Sequence, residues 1–163
     1  MATTSSRAFY RSRQVLHALW PRIPAEELAY ALQLMTDAEE RLFRAMQRRD
    51  QRHALEVMRR LRVTIEERDM LIAALLHDCG KGDVPVWLRI VHVAVPRFGR
   101  IVGREDHPGW RGAAHRLHRH IEISARLVQQ AGSSELTVRL IGGTHEEHEA
   151  HLAHLLWSAD DAS

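Results

Sequence analysis

An all-α fold is predicted by three observations. Proline and glycine number only five and nine in 163 residues, too few for many short strands joined by tight turns. Apolar residues recur at helical spacing in segment after segment, and several segments open on capping residues. With 45% hydrophobic and 27% charged residues, the chain has the composition of a globular body with its own core. The length suits one domain spanning 1–163, with residues 1–49 as a helical extension on a core of residues 50–163. The longest apolar run, Met70 to Leu76, has seven residues, where a membrane span needs about 20. No membrane partner and a cytoplasmic setting are therefore expected. Cys79 is the single cysteine, which excludes an internal disulfide framework and a multi-cysteine zinc cluster.

The elements follow in order. The first 25 residues hold Arg7, Arg11, Arg13 and Arg22 and no acid, a composition like that of an organellar transit peptide. Pro21 and Pro24 end the stretch like a structural turn. That favours an amphipathic first helix packing Phe9, Val15, Leu16, Leu19 and Trp20 on the body. Glu26 and Glu27 then open a helix carrying Leu28, Ala31, Leu32 and Met35. Thr36 with Glu39 fits a capping box for the next, through Leu42 and Met46. Asp50 is the expected cap of a helix to about Leu61, with His53, Val57 and Leu61 on one face. Thr64 with Glu67 predicts another capping box, for a helix ending at His77-Asp78 with Gly80 as its terminator. Residues 86–95 read as a short strand or a buried helix, and Gly99, Gly103, Pro108 and Gly109 as loop. Helices are expected from about Ala113 to Gln130, from Ser133 or Ser134 to Ile141, and around Leu152, Leu155 and Leu156.

Charge is distributed unevenly along a chain of net charge +2. Twenty-two arginines stand against one lysine, Lys81, and there are twelve histidines. Residues 89–126 carry eight arginines and three acids, whereas residues 127–163 carry six acids, one arginine and four histidines. The small net charge argues against general attraction to nucleic acid. The arginine stretch reads as a solvated surface or as a phosphate-binding rim.

The sharpest local signal is LLHDCGK, Leu75 to Lys81. An apolar helix end there delivers an imidazole and a carboxylate side by side into the interior. An unpaired buried aspartate is costly, so a partner is implied, and a divalent cation is a strong candidate. His53, facing inward on the preceding helix, and Asp160, an acid following an apolar helix, add to the set. Imidazole nitrogen and carboxylate oxygen suit Mn²⁺, Fe²⁺, Ni²⁺, Co²⁺ or Zn²⁺.

These residues resemble the signature of the HD-domain superfamily of metal-dependent phosphohydrolases. That signature has a histidine, then a His-Asp pair in an "LLHDIGK"-like segment, then a distal aspartate in an "AD" dipeptide. Here they are His53 in DQRHALEVMRRL, His77 and Asp78 in LLHDCGK, and Asp160 in SADDAS, with spacings of 24 and 82 residues. HDCGKGDVP is similar to the variant seen in the HDIG and HD-GYP branches, and HIEISARL, His120 to Leu127, to their "HPEIGA"-like helix. Thr144, His145 and Glu146 stand where those branches carry "HHE", and the GYP tripeptide is absent.

The resemblance implies an all-α HD-type bundle that hydrolyses a phosphomonoester or phosphodiester, with a nucleotide as the expected substrate. It implies His53, His77, Asp78 and Asp160 as ligands of one divalent ion, with His120 and His145 as ligands of a second bridged by Asp78. Asp78 and Lys81 become the catalytic pair, with Lys81 also contacting phosphate. Arg116 and Arg119, flanking His118 and His120, are expected substrate contacts, and His115 or His118 could replace His120. Trp87 or Trp110 could stack on a base, and His148 with His151 could form a surface metal site; His17, His92 and His107 read as structural or surface residues. One straight helix over residues 145–160 would separate its ends by about 22 Å, so His145 can join Asp160 only if the chain turns between them. The competing functional class is a regulatory or ligand-sensing module that keeps the fold without turnover. A third is nucleic-acid binding through the arginine stretch.

Overall fold

The computed structural model describes residues 23–95, 100 and 107–163, and among them the chain is helical without strands. The expected first amphipathic helix, His17, Gly99 and Gly103 lie outside the described residues. Eight α-helices are described: α1 Ala25–Leu34, α2 Asp37–Ala45, α3 Arg48–Leu61, α4 Arg68–Leu76, α5 Val86–Ala94, α6 Trp110–Gln130, α7 Glu135–Gly142 and α8 Ala150–Asp161. Single 3₁₀ turns cover Cys79–Lys81 and Glu147–Glu149.

The fold is organised around α4. Every residue from Met70 to Leu76 is buried, the condition of a helix that is apolar on all sides. α3, α7 and α8 surround it, and α1 and α2 close the remaining side. α3 contributes Leu55, Val57, Met58 and Leu61, α7 Leu140 and Ile141, and α8 Ala153 and Leu156. Ala31, Phe43 and Met46 of the N-terminal helices belong to the same core. Truncating a fully buried leucine such as Leu75 to alanine in such a core costs about 2–5 kcal/mol. A second, smaller apolar cluster joins Val84 and Leu88 to Ala113, Ala114 and Leu117, seating α5 on α6.

Caps follow the sequence in part. Thr36 and Glu39 make the expected capping box, and Ser134 caps α7 by accepting from the Thr137 N–H at 3.1 Å. Asp50 is not a cap. α3 starts at Arg48, and the Asp50 carboxylate is buried in a two-point pair with Arg89 of α5 (2.9 and 2.6 Å). Thr64 does not cap α4 either; its hydroxyl donates to the Leu61 carbonyl, and α4 begins after Glu67 with no side-chain cap. Residues 86–95, open between strand and helix in the sequence, form α5. One of its faces stays exposed at Val86, Trp87 and Ile90.

Glu39 is only 1% exposed yet has abundant partners. It accepts from the Thr36 N–H (2.8 Å), the Arg68 guanidinium (2.6 Å) and the Ser133 hydroxyl (2.7 Å), tying α2 to α4 and to the α6–α7 connection. Burial pushes its proton affinity up, and those donors more than offset the push, holding the carboxyl below its ordinary value of 4.5. The Glu39→Ala variant should lose about 2 kcal/mol in urea unfolding at pH 7, the sum of a lost cap and orphaned partners. Because the folded-state value is depressed, this contribution is full above pH 4.5 and fades as pH falls through the folded value. The gap between wild type and variant should therefore narrow on acidification.

Candidate metal centre

The end of α4 carries the site. α4 stops at Leu76, His77 is its C-terminal cap, and the 3₁₀ turn Cys79–Lys81 follows directly. Gly80 lies inside that turn and is not the helix terminator the sequence implied. Its requirement is space. A Cβ there would lie 2.5 Å from the His120 carbonyl oxygen, 2.6 Å from the Ser124 nitrogen and 2.9 Å from the Ile123 Cβ. Only a glycine lets the turn's backbone rest on α6. α6 is kinked at Arg119 (φ −110°, ψ 16°), beside this contact. The buried Ser124 hydroxyl accepts the Gly80 N–H at 2.8 Å, pinning the turn to the helix that bears His120.

Three remote pieces of chain meet at the buried end of α4. His53 of α3, His77 and Asp160 of α8 each present one donor atom, all within 4.8 Å of one another. Among the described residues this is the group of three or more His, Cys, Asp or Glu side chains with that spacing. His53 Nε2 is 2.6 Å from Asp160 Oδ1, and His77 Nε2 is 3.2 Å from the same oxygen. His77 is 1% exposed, and its Nδ1 lies 2.9 Å from the Ala74 carbonyl oxygen. A carbonyl only accepts, so Nδ1 carries the proton and the Nε2 lone pair faces the carboxylate. Nε2 is left buried without a hydrogen-bond partner. Two lone pairs turned on each other require a proton or a cation between them.

This donor set fits a divalent cation. Metal bonds of about 2.0–2.2 Å place adjacent ligand atoms about 3 Å apart, the scale of the two spacings around Asp160 Oδ1. Burial works against charge on His77, but the contact with Asp160 and the carboxylate of Asp78 more than offset it and raise its proton affinity. Burial likewise opposes ionisation of Asp160, and His53 and His77 overcome it, holding that carboxyl far below the usual carboxylate range.

Asp78, 2% exposed, stands next to this trio. Its Oδ2 is 3.6 Å from His77 Nε2 and pairs with the Lys81 ammonium, and its Oδ1 is 3.6 Å from His120 Nε2. Burial pushes the Asp78 carboxyl up, while His77 and Lys81 pull it down further, so it is held ionised. His120 repeats the arrangement of His77, with Nδ1 2.9 Å from the Leu117 carbonyl oxygen and Nε2 turned to the acid. Burial first, and then the Lys81 cation, keep its imidazole neutral.

Other predicted site residues are placed differently. The chain turns at Glu147–Glu149 before α8, which removes the straight-helix objection to His145. His145 nevertheless lines a hollow of about 420 Å³ along α8 with His154, Trp157 and Asp161, its Nδ1 enclosed and without a partner. No hydrogen bond or ion pair among the described residues joins it to the trio. Trp157 lines the same hollow and sets its ring edge-to-face with His77 at 6.3 Å. Arg116 commits its guanidinium to the carbonyls of Lys81 (3.3 Å) and Asp83 (3.0 Å), bracing the loop that holds Lys81. Arg119 pairs with Glu122. His115 lies in a shallow depression on the outer face of α6, His148 lies beside Glu146, and Trp87 and Trp110 stand together at 6.0 Å.

The chain matches the family model of the HD domain over residues 51–161. The chain belongs to the HD domain family. The matched span runs from just before His53 to just after Asp160, so it contains the whole cluster. Comparison with curated proteins and with solved structures gave no match. HD domains are generally divalent-metal-dependent hydrolases of phosphate esters, which agrees with the imidazole and carboxylate donors gathered here. No helix among the described residues is long and apolar enough to cross a membrane.

Sequence reasoning missed the supports of the HD site: Ser124, Trp157 and the Asp50–Arg89 pair. Ser124 lies one turn beyond His120 on the same helix, the one signal that its hydroxyl faces the site. Two outcomes test this account. Gly80→Ala should disturb the seat of the turn and lower metal affinity well before it unfolds the α4 core, read by metal titration beside circular dichroism. Burial pushes the Cys79 thiol up to about 12. Ellman's reagent at pH 8 should therefore leave Cys79 unmodified in the folded protein and label it in urea.

Proposed function

We propose that this HD domain is a metal-dependent phosphohydrolase of the HDIG-like branch, acting in the cytoplasm on a phosphate ester, with a nucleotide as the substrate class. The observation that carries this reading is the meeting of His53, His77 and Asp160 from three distant segments, with the partnerless His77 Nε2 inside. His53, His77 and Asp160 would hold the ion, with Asp78 as the adjoining acid and His120 beside it. A bound divalent cation supplies a Lewis acid for a phosphoryl oxygen and a water of lowered pKa.

The remaining chemistry belongs to the chain. Asp160 is kept ionised by His53 and His77. Asp78 is kept ionised by His77 and Lys81, so it can orient a water molecule and take its proton. Lys81 sets a positive charge at the rim of the same carboxylate, where phosphoryl oxygens of a substrate would be drawn. The His77 and His120 rings are locked by backbone carbonyls and need not reorganise.

Two features favour the second reading, a sensing module without turnover: Thr144 stands where the related branches have a histidine, and His145 lines its own hollow. A screen of phosphate esters with added Mn²⁺, Co²⁺ or Ni²⁺ separates the two readings. The purified protein should carry a divalent ion detectable by mass spectrometry and gain thermal stability when Mn²⁺ is added. Asp160→Ala should lose the ion and lower phosphoesterase activity by about 100-fold or more. A wild-type protein that binds no ion, or an Asp160→Ala protein that retains it, overturns the proposal.

A further inference from the structure

We infer that the hollow along α8 is a base-binding pocket for a nucleotide whose phosphate lies at the metal cluster, and that it selects a base bearing an exocyclic amine. The inference rests on the phosphohydrolase reading and deepens it to a substrate class. Ala150, Ala153, Trp157 and Asp161 recur at spacings of three and four residues, so they share one continuous face of α8. All four line the hollow, and His145, from the segment before α8, lines it as well. The two alanines present only methyl groups, which leaves the space that larger side chains on this face would fill.

The hollow adjoins the metal cluster through two residues. Asp160 and Asp161 are consecutive, and consecutive helical residues point about 100° apart around the axis. Asp160 enters the cluster with His53 and His77, and Asp161 lines the hollow. Trp157 takes part in both places, lining the hollow and touching His77 edge-to-face at 6.3 Å. One side chain in contact with both sites puts them within the span of a single nucleotide.

Size and chemistry indicate the occupant. The volume of about 420 Å³ falls within the roughly 300–1,000 Å³ range of small-molecule pockets. The hollow is not a second ion site. Among the described residues, its histidines and acid do not draw three donor atoms within the 4.8 Å that unites His53, His77 and Asp160. The half-buried Trp157 ring is a stacking surface, and stacking accepts any base. Selection falls to the polar groups. Asp161 is exposed and makes no ion pair or hydrogen bond among the described residues. An ionised carboxylate only accepts, so it favours the exocyclic amine of adenine, cytosine or guanine over the carbonyls of uracil and thymine. His145 Nδ1 is enclosed without a partner. A bare ring nitrogen tolerates that position better than an unsatisfied N–H, so the proton of the neutral ring belongs on Nε2, at the more open edge. That N–H is a donor for an acceptor atom of the base.

The test uses the full chain and nucleosides, which carry no phosphate and cannot be hydrolysed as esters. Equilibrium dialysis against adenosine, cytidine, uridine and ribose reads the hollow whether or not the protein turns over. Wild type should bind adenosine and cytidine about fivefold or more tightly than uridine, and ribose more weakly still. Ala150→Phe, which fills the hollow from an exposed position, should weaken adenosine binding about fivefold or more. Should it fail to fold, Ala150→Leu takes its place. Asp161→Asn presents an amide that both donates and accepts, and should bring adenosine and uridine to similar affinity. Both variants should keep Mn²⁺ affinity and Tm close to wild type. Wild type that binds no nucleoside, uridine bound as tightly as adenosine, or undiminished adenosine binding in Ala150→Phe overturns the pocket. Hydrolysis of nucleoside monophosphates by such a protein would keep the phosphohydrolase without the pocket. Amine-selective nucleoside binding by a protein that hydrolyses no phosphate ester would keep the pocket and remove the phosphohydrolase.

Discussion

Two carboxylates next to the buried end of an apolar helix set the problem that the rest of this structure solves. Asp78 is almost fully enclosed and Asp160 is three-quarters enclosed. Each is ionised in surroundings that disfavour charge. Compensation comes from three side chains on separate elements: His53 of α3, His77 at the end of α4 and Lys81 in the turn. A helical core provides no such groups by default. The arrangement is favourable only if every member is held in place, and the framework around it is best understood as the means of holding them.

The supports act at different distances. Closest are the Ala74 and Leu117 carbonyls, which orient the two imidazoles through Nδ1. Next is the contact of Gly80 with α6 and the Ser124 hydroxyl, which fixes the turn. Arg116 braces the same loop through the Lys81 and Asp83 carbonyls. Further out, the buried Asp50–Arg89 pair ties the start of α3 to α5. Arginines that look like a phosphate-binding surface in the sequence are in part structural. Arg89 and Arg116 satisfy buried acids and carbonyls, a use for which the planar five-donor fork is well suited.

The acidic, histidine-rich C-terminal stretch divides in a similar way. Asp160 enters the cluster because it sits on the face of α8 that continues the buried Ala153–Leu156 line toward His77. His148 and His151 are exposed, and His154 points into the hollow shared with His145. Residues recurring every third position on a helix rotate steadily around its axis, so a dense run of histidines need not make a dense site.

Much of the site was legible in the chain. Local physics sufficed for the helical class, the all-round apolar α4, the Thr36–Glu39 cap, a serine cap at Ser133 or Ser134, and the significance of an imidazole and a carboxylate at the end of a buried helix. Each depends on neighbours within one or two turns. What local pattern could not show are pairings between elements far apart in sequence. Asp50 has cap chemistry but meets Arg89, and Gly80 resembles a helix stop but is required by α6. In each case a long-range partner competes with the local preference and has more burial energy behind it. Residue chemistry along the chain determined which side chains could hold a cation, and tertiary packing alone decided which of them share one place, because only close contact between distant helices brings donor atoms within bonding range.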